Sequence, residues 1–340
     1  MIPFGLDLPI IQAPMAGVQG SALAIAVSNA GGLGSLPCAM LTADTTRSEM
    51  IAMASQTRGP YNVNFFCHAA PPPDAQREAA WGALLRPYYE ELGVTAAASA
   101  GGGRAPFDDA AARTVVELRP AVVSFHFGLP DEDLLRAVKG CGARVVSTAT
   151  TIEEARWLAA RGVDAIIAQG LEAGGHRGRF LSDDLTEQMG TFALLPQVVR
   201  AVSVPVIAAG GIADAAGVNA ALALGAAAVQ VGTTYLLCQE AAPSPVHAAA
   251  LTSASSHHTA ITNVFTGRPA RGIVNRLMRE LGPMRGDVPA FPSAYPAVAP
   301  LRAAAEAAGR GDFSPLWAGQ NPSGCMTGPA GALTRRLAGG

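Results

Sequence analysis

The chain contains a single lysine, Lys139, among 24 basic residues. It sits in a helix-like segment, Asp131 to Val138, just before Gly140, where a solvated cation suits a helix C-terminus. Schiff-base catalysis and pyridoxal phosphate chemistry need a lysine in the site, so neither is expected. Cysteine is scarce as well. Cys38, Cys67, Cys141, Cys238 and Cys325 are scattered, odd in number and form no Cys-x-x-Cys pair. That pattern argues against a disulfide framework or structural zinc and for a reduced, cytoplasmic protein. His247, His257 and His258 have no cysteine or acidic partners at metal-ligand spacing, so no metal is expected. No apolar run approaches the roughly 18 residues of a membrane span. Met1–Asp7 shows no basic region followed by an apolar stretch, so no signal peptide is expected. A net charge of −2 leaves no cationic surplus for nucleic acid. No Gly-x-Ser-x-Gly elbow is present, which disfavours Ser/His/Asp hydrolysis. Asp183-Asp184 reads as the opening of the next helix rather than an acid–base dyad.

What is present is apolar material in short pieces. Hydrophobic residues make up 49% of the 340 positions, enough for a sizeable core. Eight apolar runs recur: Ile10–Ala13, Leu33–Leu36, Tyr61–Phe66, Ala121–Phe125, Arg144–Ser147, Ala165–Ala168, Pro205–Ala208 and Ala227–Val231. Most lack alternation, as in strands buried on both faces. Helical stretches such as Ile152–Arg161 and Ala215–Leu224 lie between them. Eight strands alternating with helices imply a (β/α)₈ TIM barrel. A doubly wound sheet competes, but no Gly-x-Gly-x-x-Gly follows any strand; Gly31-Gly32-Leu33-Gly34 precedes one. Two segments break the rhythm. Residues 67–120 exceed one crossover helix and hold Pro71-Pro72-Pro73 and Gly101-Gly102-Gly103, which read as loops. Residues 237–314 read as a smaller, mostly helical substrate-side domain capping the mouth of a 1–236 barrel. Residues 315–340 return to the barrel.

Barrel sites form at the C-terminal ends of strands. Those ends carry Gln12-Ala13-Pro14-Met15, Asn64, His126, Thr148, Gln169 with His176, Gly210-Gly211, and Gly232-Thr233. Glycine amides, a threonine hydroxyl and a helix N-terminus after the last two strands can hold a phosphate without lysine. After Ala168 comes the most informative stretch, Gln169 to Gly178, a loop with four glycines and His176. Glycine permits close backbone approach to a ligand, and histidine suits proton chemistry near neutral pH. His126 lies between Phe125 and Phe127 and could serve a site or a core. The arginines of Thr266–Gly272 read as fixing the cap to the barrel, although they could also face a ligand. Trp317–Gln320 could stack on or bond to a planar cofactor, and Tyr295 could line a substrate pocket.

Together these positions resemble the nitronate monooxygenases, formerly 2-nitropropane dioxygenases, over almost the whole chain. The resemblance rests on Gln12–Val18, Ala30–Gly34, Asn62–Phe66, Ser124–Gly128, the Gln169–Gly178 loop, the Gly210 and Gly232 segments, Phe265–Gly272 and Trp317–Gln320. The Phe-His-Phe-Gly and Thr-Gly-Arg-Pro-Ala-Arg-Gly pieces look like the class I branch. The resemblance implies a flavoprotein oxidoreductase holding FMN non-covalently. Met15, Asn64, Gln169, Gly174, Gly211, Gln230, Val231, Gly232 and Thr233 would bind FMN. His176 would be the catalytic histidine, orienting the nitronate and offsetting its charge as a cation. His126 and Tyr295 would bind substrate. Class I relatives usually carry lysine four residues after that tyrosine; here the position is Ala299. The implied reaction is oxidation of alkyl nitronates by O₂ to carbonyl compounds and nitrite, with a homodimer as the candidate assembly. Two alternatives stay open: an NAD(P)H-dependent quinone or enoyl-thioester reductase on the same scaffold, and a non-redox barrel binding a phosphorylated metabolite.

Overall fold

The computed structural model describes residues 2–95 and 104–340; the Gly101–Gly103 run lies outside the described residues. Eight parallel strands form one sheet. They are β1 (Ile10–Gln12), β2 (Gly34–Pro37), β3 (Tyr61–Phe66), β4 (Val122–His126), β5 (Arg144–Ala149), β6 (Ala165–Gln169), β8 (Val206–Ala209) and β9 (Ala228–Val231), with β7 (Gly175–His176) in the loop between β6 and β8. Each coincides within a residue or two with an apolar run seen in the sequence. β1 pairs with β9, and the Leu33 amide donates to Ile10 O at 2.9 Å while the Gln12 amide donates to Leu33 O at 2.9 Å. That contact closes the sheet into a (β/α)₈ barrel and removes its edges.

The strands lack alternation because both faces are covered. All six residues of β3 are buried. Their outer side chains pack under the helices, in a layer that includes Val63, Val123, Val145, Ile166 and Val229. The inner side chains of Ile11, Leu33, Val122, Val146, Ile167 and Ile207 fill the barrel, and Leu6 with Phe4 plugs its lower end. Helices begin where a side chain satisfies a free amide. Thr151 accepts from the Glu154 amide and Asp214 from the Gly217 amide. Among the described residues no helix is long and apolar enough to cross a membrane.

A second hydrophobic core lies beside the barrel. It joins Trp81, Leu85, Tyr88 and Tyr89 of the Ala75–Leu92 helix to Phe265, Leu277, Val298, Leu301 and Phe313. The Trp81 indole donates to Ala294 O at 3.3 Å, and the Tyr89 hydroxyl donates to Ala297 O at 2.7 Å. This accessory layer therefore draws on the long connection after β3 as well as on residues 237–314. That later segment also contains a ribbon, β10 (Thr259–Thr262) and β11 (Ala270–Ile273). β11 pairs antiparallel with β7, matching Ala270 to His176 and Arg271 to Gly175. The loop after β6 is thus pinned between the barrel and the accessory ribbon.

Candidate active site

Parallel strands end together at one rim, and the register aligns the polar residues there. Asn64 pairs with Ser124, Gln169 with Ala209, and Ala209 with Gln230. The rim opens into a cavity lined from every quarter of the barrel mouth. Met15, Asn64, His126, Gln169, Gly174, His176, Gly211, Gln230, Val231, Gly232 and Thr233 all line it. Tyr295 does not; its ring lies behind Arg104, whose guanidinium carbon sits 4.5 Å from the ring centroid. Trp317 and Gly319 also reach the cavity.

The cavity's two ends differ in chemistry. One end is backbone. Gly210 and Gly211 take φ of 126° and 71°, conformations that favour glycine. Gly232 precedes the short helix Thr233–Leu237. A Cβ on Gly174 would lie 2.6 Å from Gly319 N, and the Gly319 amide donates to Thr233 Oγ1 at 2.9 Å. The loops after β6, β8 and β9 and the tail therefore meet edge to edge. No aspartate or glutamate side chain lines the cavity among the described residues. Glu172 stands close but is turned away: its carboxylate accepts from the Thr191 amide at 2.8 Å and from the Thr191 hydroxyl at 2.9 Å.

The other end is a cage of rings around His176. Phe291 lies 5.2 Å, Trp317 5.6 Å, Phe127 6.0 Å and Phe66 6.2 Å from it, centroid to centroid. Phe127 adopts φ of 72°, an uncommon conformation for a bulky residue, and carries Arg268 4.0 Å over its ring. His176 Nε2 bonds Thr266 Oγ1 at 3.0 Å. Its carbonyl is held from two sides, by His126 Nε2 at 3.2 Å and by Gln169 Nε2 at 3.0 Å. Gln169 Oε1 accepts the Gly178 amide at 2.8 Å. Gln169 thus braces its own loop while also lining the cavity, where the resemblance assigns it to the cofactor.

Sequence reading missed the residue that anchors this loop. Arg177 is fully buried. It donates to Gln188 Oε1, Gly170 O and Gln169 O, each at 2.8 Å. Burial lowers its pKa to about 9, so it remains charged at neutral pH. Arg271 does similar work, donating to Leu171 O at 2.8 Å. An arginine in a glycine-rich loop looks solvated from sequence, and no local signal separates it from a buried one.

The charge expected on His176 is corrected. Burial, reinforced by Arg104, His126 and Arg268, holds its pKa well below the usual histidine range, so the ring is neutral at pH 7. His126 falls to about 3, chiefly through burial, and its Nδ1 faces Thr148 Oγ1 at 3.1 Å. His247, bonded to Trp317 O at 3.1 Å, falls to about 4 for the same reason. These values sit below the roughly 6.5 of an unfolded histidine. The unfolded chain therefore takes up protons first as pH falls, and the folded state loses relative stability from about pH 6.5 down to those values. Each such histidine contributes about 1.4 kcal/mol per pH unit within that window. Melting temperature should be flat above pH 7 and drop steeply between pH 6 and 5. His126→Gln should flatten that drop. A melting temperature independent of pH in this range would refute the neutral assignment.

The nitronate monooxygenase family model matches residues 3–337. A nitronate monooxygenase of Paraburkholderia phytofirmans is 43% identical over 98% of this chain and 92% of its own length. One from Pseudomonas aeruginosa is also 43% identical, over 98% and 96%. Among solved structures, a nitroalkane oxidase from Streptomyces ansochromogenes is 40% identical, covers 98% of this chain and 96% of its own, and has a TM-score of 0.90. FabK from Thermotoga maritima is 28% identical over 98% and 92%, with a TM-score of 0.75.

Proposed function

This chain belongs to the nitronate monooxygenase family, a flavin-dependent family, and from that premise we propose that its strand-end cavity holds FMN and uses O₂ to convert alkyl nitronates into carbonyl compounds and nitrite. It is an oxidoreductase that oxidises nitronates. The observation that carries the finer reading is the division of one cavity into an amide-rich end and a ring of aromatics around His176, with no carboxylate lining either among the described residues. A phosphate dianion needs donors and no acidic neighbour, which fits Gly210–Gly211, Gly232 and Thr233. A planar apolar ring system needs tight, flat walls, which fits Met15, Gly174 and Gly319. Bound there, FMN would supply the electron transfer between nitronate and O₂.

The protein's own share is position and environment. Thr266 fixes the His176 ring, and the carbonyl clamps from His126 and Gln169 fix the backbone beneath it. A ring held in this way orients the nitronate against the cofactor face. Phe66 and Trp317 line the cavity beside that ring, and Phe127 and Phe291 pack against it without lining the cavity, so the surroundings of His176 are largely apolar. A nitronate is already deprotonated, so turnover requires no base. A neutral nitroalkane would need one, and the burial and neighbouring cations that keep His176 neutral also make it a weak base, which favours the nitronate as substrate. Five unpaired cysteines among the described residues support a reduced, cytoplasmic setting.

The test is to purify the protein, record its visible spectrum, and follow O₂ uptake with propyl-2-nitronate and propionate 3-nitronate. The expected result is a yellow protein that consumes O₂ with either nitronate and reacts slowly with NAD(P)H. Rapid flavin reduction by NAD(P)H without nitronate-driven uptake would replace this reading with a reductase. A colourless protein that binds no flavin would leave the phosphate-ligand barrel.

A further inference from the structure

His176 is neutral, yet the substrate is an anion, so the cavity needs another source of positive charge. Among the described residues lining the cavity, Arg104 is the one that carries a full positive charge, and no carboxylate lines it. Arg104 is 8% exposed. Its side chain rests on the Tyr295 ring, 4.5 Å from the centroid. Its titratable neighbours are the Tyr295 phenol and Arg302 rather than an acid. Arg302 is itself satisfied, bonding Glu306 at 2.8 Å. By contrast, no hydrogen bond from the Arg104 guanidinium to a described residue completes it. Burying a cation without a counter-charge costs several kcal/mol, and an anionic ligand removes that cost by supplying the missing partner. Four residues beyond Tyr295 stands Ala299, which has no charge to share the task.

We propose that Arg104 is the specificity-determining residue of this cavity, gripping a planar two-oxygen anion of the substrate from its seat on Tyr295. A nitronate and a carboxylate each carry two oxygens on a trigonal atom, and the guanidinium fork matches both. Tyr295 thereby acts on the substrate through Arg104: it sets the angle of the fork rather than forming part of the wall. The assignment rests on the nitronate reading, and its test separates the two.

Flavin-loaded wild type, Arg104→Met and Arg104→Lys are compared in three measurements, with melting curves confirming that the variants fold. Propionate, which carries only the carboxylate, is titrated against the visible flavin spectrum. Its dissociation constant should rise about 30-fold in Arg104→Met and recover in part in Arg104→Lys. O₂ uptake then gives kcat/KM for propyl-2-nitronate and for propionate 3-nitronate. A similar fall of about 30-fold for both places the nitronate group on Arg104; a fall for the second alone places the carboxylate there. Equal values for wild type and Arg104→Met in all three measurements overturn the proposal. If no nitronate is oxidised but Arg104→Met still abolishes propionate binding, the functional reading fails while the anion site stands.

Discussion

His176→Asn should lower kcat/KM for nitronates by roughly 10²–10³-fold, a loss of about 3–4 kcal/mol in transition-state stabilisation. The substitution removes a ring that stands between Phe291 and Trp317 and is fixed by Thr266. It leaves the main-chain clamps in place, because His126 and Gln169 hold the residue 176 carbonyl rather than its side chain. Bound flavin should therefore stay near the wild-type amount, and the loss should fall on turnover. O₂ uptake and visible absorbance measured on one preparation separate these effects. Loss of flavin together with activity would show the ring to be structural; an unchanged rate would remove it from the reaction.

Arg177→Met should destabilise the protein by about 3 kcal/mol, balancing lost charge-assisted bonds against relief of a buried charge. The Gln169 and Gly170 carbonyls and the Gln188 side chain would each lose a donor at 2.8 Å. At roughly 2.1 cal/mol/K of unfolding entropy per residue, a chain of 340 residues shifts by about 1.4 °C per kcal/mol, so the melting temperature should fall by about 4 °C. Activity should fall too, since the loop that carries His176 loses its rivet. Arg177→Lys should rescue little, because an ammonium cannot reproduce three bonds in a planar fork. A melting temperature within about 1 °C of wild type for Arg177→Met, roughly the effect of less than 1 kcal/mol, would mean the loop is held by other contacts.

These two residues sit side by side and were unequally legible. His176 stood out because a lone histidine among glycines at a strand end has few packing reasons to be there. Arg177 did not, because its burial depends on Gln188 and on the carbonyls of Gln169 and Gly170, which the chain brings around it only on folding. Arg104 was silent for the same reason. It follows a glycine run in a long connection, and only the packing of the Ala75–Leu92 helix against residues 294–301 puts Tyr295 beneath it. Gln169 is legible as a rim residue, but its bonds to His176 O and the Gly178 amide are not, since sequence shows that an amide is available and not which groups it meets.

The sequence by itself determined the barrel, its eight strands and the rim on which the site is built. Strands covered on both faces must be continuously apolar, and strand ends that meet a ligand must be polar or glycine; both are local patterns that a chain displays before it folds. Tertiary structure alone decided the charges and the supports. Whether His176 is a cation depends on how much water the surrounding rings remove and on the arginines placed near it. Whether an arginine is a rivet, a wall or a solvated surface group depends on partners as far away in sequence as Arg104 and Tyr295. Burial and long-range pairing are properties of the assembled fold, and they divide the labour within the cavity.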